Sequence, residues 1–225
     1  MTTVNAIVSA YYCEEWLDNR IRNLLEQTRQ VTPIIICPMG SKEEKIASKY
    51  KECKIFTPYL PPHLVPNVYE AWNMALDFAS DYVMIANSDD LLRNNAVEVM
   101  AGTLDENPDA GLVYADSVIV KEQHGDPVGF LDLRDPDNDL YDGCYIGHFP
   151  MYRSILHKKY GLYDTTYDIA GDYEFWMRLQ RAGVLFTHLK YRLGEFWDRG
   201  DNLEFRKADR LIWENAKIKR FYGRL

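Results

Sequence analysis

Between residues 4 and 120, short apolar runs alternate with amphipathic segments, and this alternation restricts the fold more than any single motif does. Val4-Asn-Ala-Ile-Val-Ser-Ala10 predicts a buried strand. Glu14–Thr28 predicts a helix, because Trp16, Leu17, Ile21, Leu24, Leu25 and Thr28 recur on one face. Pro33-Ile-Ile-Ile-Cys37 predicts a second, fully apolar strand, followed by a helix over Lys42–Tyr50 with Ser41 as its N-cap. The pattern repeats: a strand over Lys54–Tyr59, a Pro-rich loop at Pro61, Pro62 and Pro66, and a helix from Asn67 to Ala79. Then come a strand over Tyr82–Ala86, a helix over Asn94–Glu106 and a strand over Ala110–Val120. A β-α-β-α order of this kind closes into an α/β fold with a mostly parallel sheet and helices on both faces. Ligands bind such sheets at the carboxyl ends of the strands.

The later sequence changes character. Residues 121–149 predict a long loop in which Asp132, Asp135, Asp137, Asp139 and Asp142 stand among Gly and Pro, a binding loop or lid with the acids solvated. Helices are predicted over Pro150–Tyr160, Asp172–Ala182 and Arg206–Tyr222, and a strand over Val184–Arg192 that buries His188. At 225 residues this suits a single domain, with residues 1–120 as one half, 121–200 as the other and 201–225 as a basic amphipathic appendage.

Charge narrows the partners. A formal net charge of −8 excludes a general nucleic-acid binder, because phosphate contacts need a basic surface. Residues 201–225 hold seven Lys/Arg against four Asp/Glu, so +3 sits on the last helix and −11 on the rest. That helix is either an ordinary solvated face or a peripheral contact with an anionic membrane. Cys13, Cys37, Cys53 and Cys144 lack metal-ligand or redox spacing, and no apolar run reaches membrane-spanning length. The expected location is cytoplasmic.

Two acidic clusters carry the candidate chemistry. In Ala86-Asn-Ser-Asp-Asp-Leu-Leu92 a buried strand ends in two adjacent carboxylates. They either cap a following helix or hold a hard cation such as Mg²⁺ or Mn²⁺, which takes one or two carboxylates and fills its shell with phosphate oxygens. In Ala170-Gly-Asp-Tyr-Glu-Phe-Trp176, Asp172 either complements a helix dipole or serves as a general base at a helix N-terminus.

Together these segments resemble the family 2 glycosyltransferases of the GT-A fold. The stretch from Val4 to Leu17 with Leu24-Leu-Glu-Gln-Thr28 is similar to the family's first strand and "SLLxQT" helix. Asn73 in Ala71-Trp-Asn-Met-Ala75 falls where the family places an Asn, and Asn87-Ser-Asp89 looks like its DxD motif. Gly171-Asp-Tyr-Glu-Phe-Trp-Met-Arg-Leu179 looks like "EDYDLWLRL". The match runs from residue 4 to about 195 and departs at two places: Pro38-Met39-Gly40-Ser41 replaces "DDGS", and Asn87 replaces the first acid of DxD.

The resemblance implies inverting, metal-assisted transfer of a sugar from a nucleotide-diphosphate donor, of UDP or dTDP type, to a hydroxyl of a glycan or glycolipid. It implies Asp172 as the base, Asp89 as ligand to Mn²⁺ or Mg²⁺, and donor contacts at Ser9, Tyr11, Asn73, Asn87, Ser88 and Asp89. Asp90, His148, Glu174 and Trp176 would support the site or the acceptor, with Tyr145, Phe149 and Trp197 as further stacking candidates. Glu195 or Asp198 would replace the family's late metal-ligating His, and Arg178 would hold its helix. The competing readings are a non-catalytic nucleotide-sugar-binding module and a sugar-phosphate nucleotidyltransferase. The second lacks its Gly-rich loop here, since Ala10-Tyr-Tyr-Cys-Glu-Glu15 contains no Gly.

Overall fold

The computed structural model describes residues 2–59 and 67–224, so the expected loop at Pro61, Pro62 and Pro66 lies outside the described residues. The first half forms β1 (Val4–Ser9), α1 (Leu17–Leu25), β2 (Thr32–Ile36), α2 (Lys42–Ala47), β3 (Lys54–Phe56), α3 (Val68–Leu76) and β4 (Tyr82–Ile85). After β4 come β5 (Leu91–Leu92), α4 (Ala96–Glu106), β6 (Ala110–Val120) and β7 (Gly129–Leu131). A single 3₁₀ turn, Leu140–Asp142, precedes β8 (Met151–Arg153), α5 (Ile155–Tyr160), α6 (Gly171–Arg181) and β9 (Leu185–Trp197). The chain closes with α7 (Leu203–Arg206) and α8 (Ala208–Tyr222).

The sheet runs β3-β2-β1-β4-β8-β6-β9-β5, with β7 paired to β6. Its first four strands are parallel, as the β-α alternation requires. Strand alternation splits the core in two. Val4, Ala6 and Val8 of β1 face the layer of α1 and α4, while Ile7 faces the layer of α3 and α6. Where capping is local, the sequence signals operate as written. Ser41 Oγ accepts from Glu44 N at 3.1 Å, and Asn67 with Glu70 makes a reciprocal capping box at the start of α3.

Three expectations change. Met151–Arg153, expected to be helical, is instead a strand inserted antiparallel between β4 and β6. The apolar Met151 and Tyr152 complete the sheet there, and Arg153 donates to the carbonyls of Leu104, Asn107 and Ala110. Long-range pairing overrides local helix preference. The strand expected to stop at Arg192 continues to Trp197 as β9, because β6 offers it a parallel partner as far as Val120. The acids of the long loop are not simply solvated. Asp132 pairs with Arg192, Asp135 with His188 and Lys190, Asp139 with Arg181, and Asp142 with Arg224. His188 lies in β9 with its side chain buried, as expected, and donates to or accepts from Asp116 and Asp135 through its two ring nitrogens.

Candidate active site

β4 delivers Asn87-Ser-Asp-Asp90 to the carboxyl edge of the parallel strands. No helix begins there to be capped. Leu91–Leu92 pairs with β9, and α4 starts only at Ala96. The buried Asp90 accepts from Trp197 N at 3.0 Å and from Asn87 Nδ2 at 3.1 Å. Its neighbour Asp89 meets the Arg199 guanidinium at 3.2 Å. Burial raises the pKa of both carboxyls, and for Asp89 the adjoining Asp90 charge adds to the rise.

Two arginines oppose that rise. Arg199 lies over the rings of Trp16, at 4.7 Å, and Trp197, at 5.5 Å, and these two rings meet edge to face. Arg20 of α1 is fully buried; Nη1 donates to Asn23 Oδ1, while Nε and Nη2 have no hydrogen-bond partner among the described residues. Burial lowers its pKa to about 10, and attraction to Asp90 and Asp89 works against that fall, so it stays charged at neutral pH. A buried guanidinium with free donors beside two carboxylates sets the local charge balance.

The second acidic cluster is built differently. α6 begins at Gly171, so Asp172 stands in its first turn, where the helix dipole favours an anion. Gly171 is required by close packing: a Cβ there would sit 2.7 Å from the Tyr69 ring. Tyr69 Oη donates to Asp172 Oδ1 at 3.1 Å. Glu214 of α8, itself fully buried, accepts from the backbone N–H groups of Asp168, Ile169 and Ala170 and so sets the approach to Asp172. Burial raises the Asp172 pKa above the ordinary carboxylate range, and the Glu214 charge adds to it. Among the described residues no ion pair offsets this.

Asn87 and Asp172 line one cleft of about 540 Å³. Its walls include Trp72, Trp176, Leu133, Phe196 and His148, and Glu204, Leu211 and Asn215 close one side. His148 is 3.9 Å from Asp90, and burial pushes its pKa down to about 3, so it is a neutral imidazole beside the carboxylates. Partial loss of solvent, with repulsion from Asp90, Asp172 and Asp198, raises the Glu204 pKa.

Of the other residues named from the sequence, several are engaged away from the cleft and some stand at the carboxyl edge. Both ends of the Asn73 amide are bonded to the backbone of Tyr163, at 2.9 and 3.0 Å. Glu174 pairs with Arg178 and accepts from Tyr222, away from the cleft, and Arg178 also donates to the carbonyls of Tyr160 and Leu162. Tyr145 donates to the Asn138 carbonyl, and Phe149 packs against Gly194 in the core. Ser9 ends β1 and Tyr11 follows it, both partly buried at the carboxyl edge. Ser88 Oγ accepts from Trp16 Nε1 at 3.4 Å. Glu195 accepts from His124 N, and Asp198 pairs with Lys121. Sequence reasoning missed Arg20, Arg199 and Glu204. Arg199 lies in the connection from β9 to α7 and Glu204 in the first turn of the short α7, within the 193–204 stretch that the sequence marks as site-lining; Arg20, on a helix, offers no comparable signal.

A divalent cation fits this donor set in one way. Among the described residues no three His, Cys, Asp or Glu side chains converge on one point. A cation here would take Asp89 from the protein and its remaining oxygens from a bound diphosphate and water, which is how Mg²⁺ and Mn²⁺ commonly bind.

An open sheet of this topology, with carboxylates at its carboxyl edge, is the GT-A architecture of glycosyltransferases. The chain belongs to glycosyl transferase family 2, whose family model matches residues 6–161. An uncharacterized glycosyltransferase of Haemophilus influenzae is 25% identical over 218 residues, covering 84% of this chain. The chain spans 65% of that relative's length. TarS of S. aureus in complex with UDP-GlcNAc superposes with a TM-score of 0.73 at 15% identity, over 98% of this chain and 70% of that one. The mannosyltransferase PcManGT of Pyrobaculum calidifontis, in complex with GDP-Man and Mn²⁺, superposes at 0.71 with 16% identity, over 97% and 64%.

Proposed function

We propose that this chain is an inverting glycosyltransferase that moves a sugar from a nucleoside-diphosphate donor to an acceptor hydroxyl, with Asp172 as general base. The observation that carries this reading is the placement of Asp172. It is a carboxylate with a raised pKa and no ion pair among the described residues, in an apolar cleft that also receives Asn87 of the acidic strand end. A carboxylate whose proton affinity is raised by burial, at the wall of such a cleft, suits abstraction of a hydroxyl proton.

The donor's diphosphate belongs at the carboxyl edge of β4, near Ser9, Tyr11, Asn87, Ser88 and Asp89, where ligands of open α/β sheets bind. Asp89 would hold a divalent cation, which would neutralise charge on the diphosphate leaving group. Asp90, fixed by Trp197 N and Asn87, keeps the Asp89 backbone in place. The neutral His148 offers the acceptor sugar a hydrogen-bonding group, while Trp176, 1% exposed, supports the cleft floor from within the core. Asp172 takes the acceptor proton as that oxygen attacks the anomeric carbon, and inversion follows from attack opposite the leaving group. TarS with UDP-GlcNAc and the mannosyltransferase with GDP-Man support a nucleotide-sugar donor, and of these the UDP type, with dTDP beside it, is our assignment.

The test is a panel of nucleotide sugars assayed for Mn²⁺-dependent binding and for nucleoside-diphosphate release, with wild-type chain and Asp172→Asn. Release by wild type and none by the variant, at equal donor affinity, supports the reading. Binding with no turnover on any acceptor would favour the non-catalytic sugar-nucleotide module instead.

A further inference from the structure

α8 has two working faces. Leu211 and Asn215 turn toward the cleft of Asp172, and Glu214 and Ile218 are buried beneath them. Ile212, Trp213, Lys217 and Arg220 fall on the opposite side, exposed. Trp213, Lys217, Arg220 and Phe221 together with Tyr167 line a shallow groove of about 610 Å³.

Exposed large apolar residues concentrate here. Five of the fifteen on the described surface, Leu203, Phe205, Ile212, Trp213 and Phe221, fall within nineteen residues, with Trp213 54% and Phe221 79% exposed. Cations are interleaved with them: Lys217 lies 4.2 Å from the Tyr167 ring centre, and Arg210 lies 4.7 Å from that of Trp213. Arg206, Lys207, Lys217 and Arg220 have no ion-pair partner among the described residues, whereas Arg210 is paired with Asp168 and Glu214.

We infer that this face of α8 seats the protein on an anionic membrane surface. Aromatic rings with interleaved Lys and Arg match the chemistry of the headgroup region, where rings enter the interface and cations meet lipid phosphates. Charge selects the occupant and the orientation. Residues 201–225 carry +3 while the remainder carries −11, so an anionic surface attracts this helix and repels the rest of the body. Among the described residues no helix is long and apolar enough to cross a membrane, so the contact is peripheral. Because the opposite face of the same helix lines the cleft, the docked protein holds its cleft on the far side of α8, about 10 Å from the bilayer.

The experiment is vesicle co-sedimentation of the full chain without donor or acceptor. Phosphatidylcholine vesicles are compared with vesicles containing about one-third phosphatidylglycerol. Wild type sediments with the anionic vesicles only and is released by high salt. Lys217→Glu/Arg220→Glu binds roughly 20-fold more weakly or worse, at about fivefold for each cation lost. Trp213→Ser/Phe221→Ser weakens binding about tenfold. Melting temperature and donor affinity, unchanged in both variants, exclude misfolding. The inference is overturned if wild type stays in the supernatant or if both variants sediment like wild type. It is equally overturned if Trp213→Ser/Phe221→Ser converts a dimer to a monomer without altering vesicle binding, which would make the face a subunit contact. None of these results touches the transferase reading, which the nucleotide-release assay decides separately.

Discussion

Asn87-Ser-Asp-Asp90 and Gly171-Asp-Tyr-Glu174 both send a residue into one cleft, yet their surroundings are opposite in kind. The first is a carboxylate pair facing two guanidiniums, Arg199 against Asp89 and the buried Arg20 below, which oppose the rise in proton affinity that burial imposes on both acids without cancelling it. The second gives Asp172 no cation among the described residues: burial, helped by the Glu214 charge, raises its proton affinity although the Tyr69 hydroxyl and the N–H groups of the helix start work the other way. Under the proposed mechanism the same residue type serves cation binding in one place and proton transfer in the other. Neighbours set the role.

The sharpest way to break this contrast is Asp172→Asn. Under the proposed mechanism it lowers the transfer rate by about a thousandfold or more while donor affinity holds. Steady-state kinetics beside calorimetry would check this, and near-normal turnover would move the base elsewhere.

Next in size is Glu214→Ala, which strips three backbone N–H groups of their buried acceptor. A loss of about 3 kcal/mol in urea unfolding is expected. The Glu214 pKa is lowered in the fold by those backbone hydrogen bonds and by Arg210, although burial itself works the other way. Its stabilisation is therefore complete above the unfolded carboxyl value and disappears as pH falls through the folded one. A variant whose stability deficit does not shrink in acid would contradict that assignment.

Asp89→Asn sharpens the other side of the comparison. Mn²⁺-dependent donor affinity should fall about 10- to 100-fold, with metal-free affinity little changed. Arg199→Ala has the opposite sign and is smaller. Removing the cation beside Asp89 should tighten Mn²⁺ binding to the free protein by about three- to fivefold, readable by paramagnetic resonance without any turnover. Weaker Mn²⁺ binding would mean that Arg199 organises the carboxylate instead of competing for it.

The smallest effect is a pH dependence at Asp172. Because the folded Asp172 pKa is raised, its cost to stability is absent below the unfolded value and grows as pH rises through the folded one. Asp172→Asn should therefore melt above wild type at neutral pH, with the gap closing in acid. The rising limb of the wild-type rate should lie above the ordinary carboxyl range, near ~4.

Much of the donor-side half was legible because its signals are local. Ser41 caps α2 from its own position, and Ala110–Val120 is a strand over its full expected length. β1 and β4 declare themselves by apolar runs that suit a sheet covered on both faces. The acids at residue 172 and at residues 89 and 90 were visible as motif positions at element ends. The roles of Asn73 and Glu174 were not, because each is decided by a partner far along the chain, Tyr163 for one and Tyr222 for the other. Met151–Arg153 looked helical because its neighbours do, and only the gap between β4 and β6 made it a strand.

By itself, then, the sequence determined the α/β alternation, the strand end that carries Asp89 and Asp90, the helix start that carries Asp172, and the charge asymmetry of the last helix. These follow from periodicity, capping and composition, which act over a few residues. Tertiary structure alone decided which charges meet: Arg20 and Arg199 at the first cluster, Glu214 and Tyr69 at the second, and α8 between cleft and surface. Electrostatic role depends on distances of a few ångströms between residues up to about a hundred positions apart in the chain, and no local pattern encodes those distances.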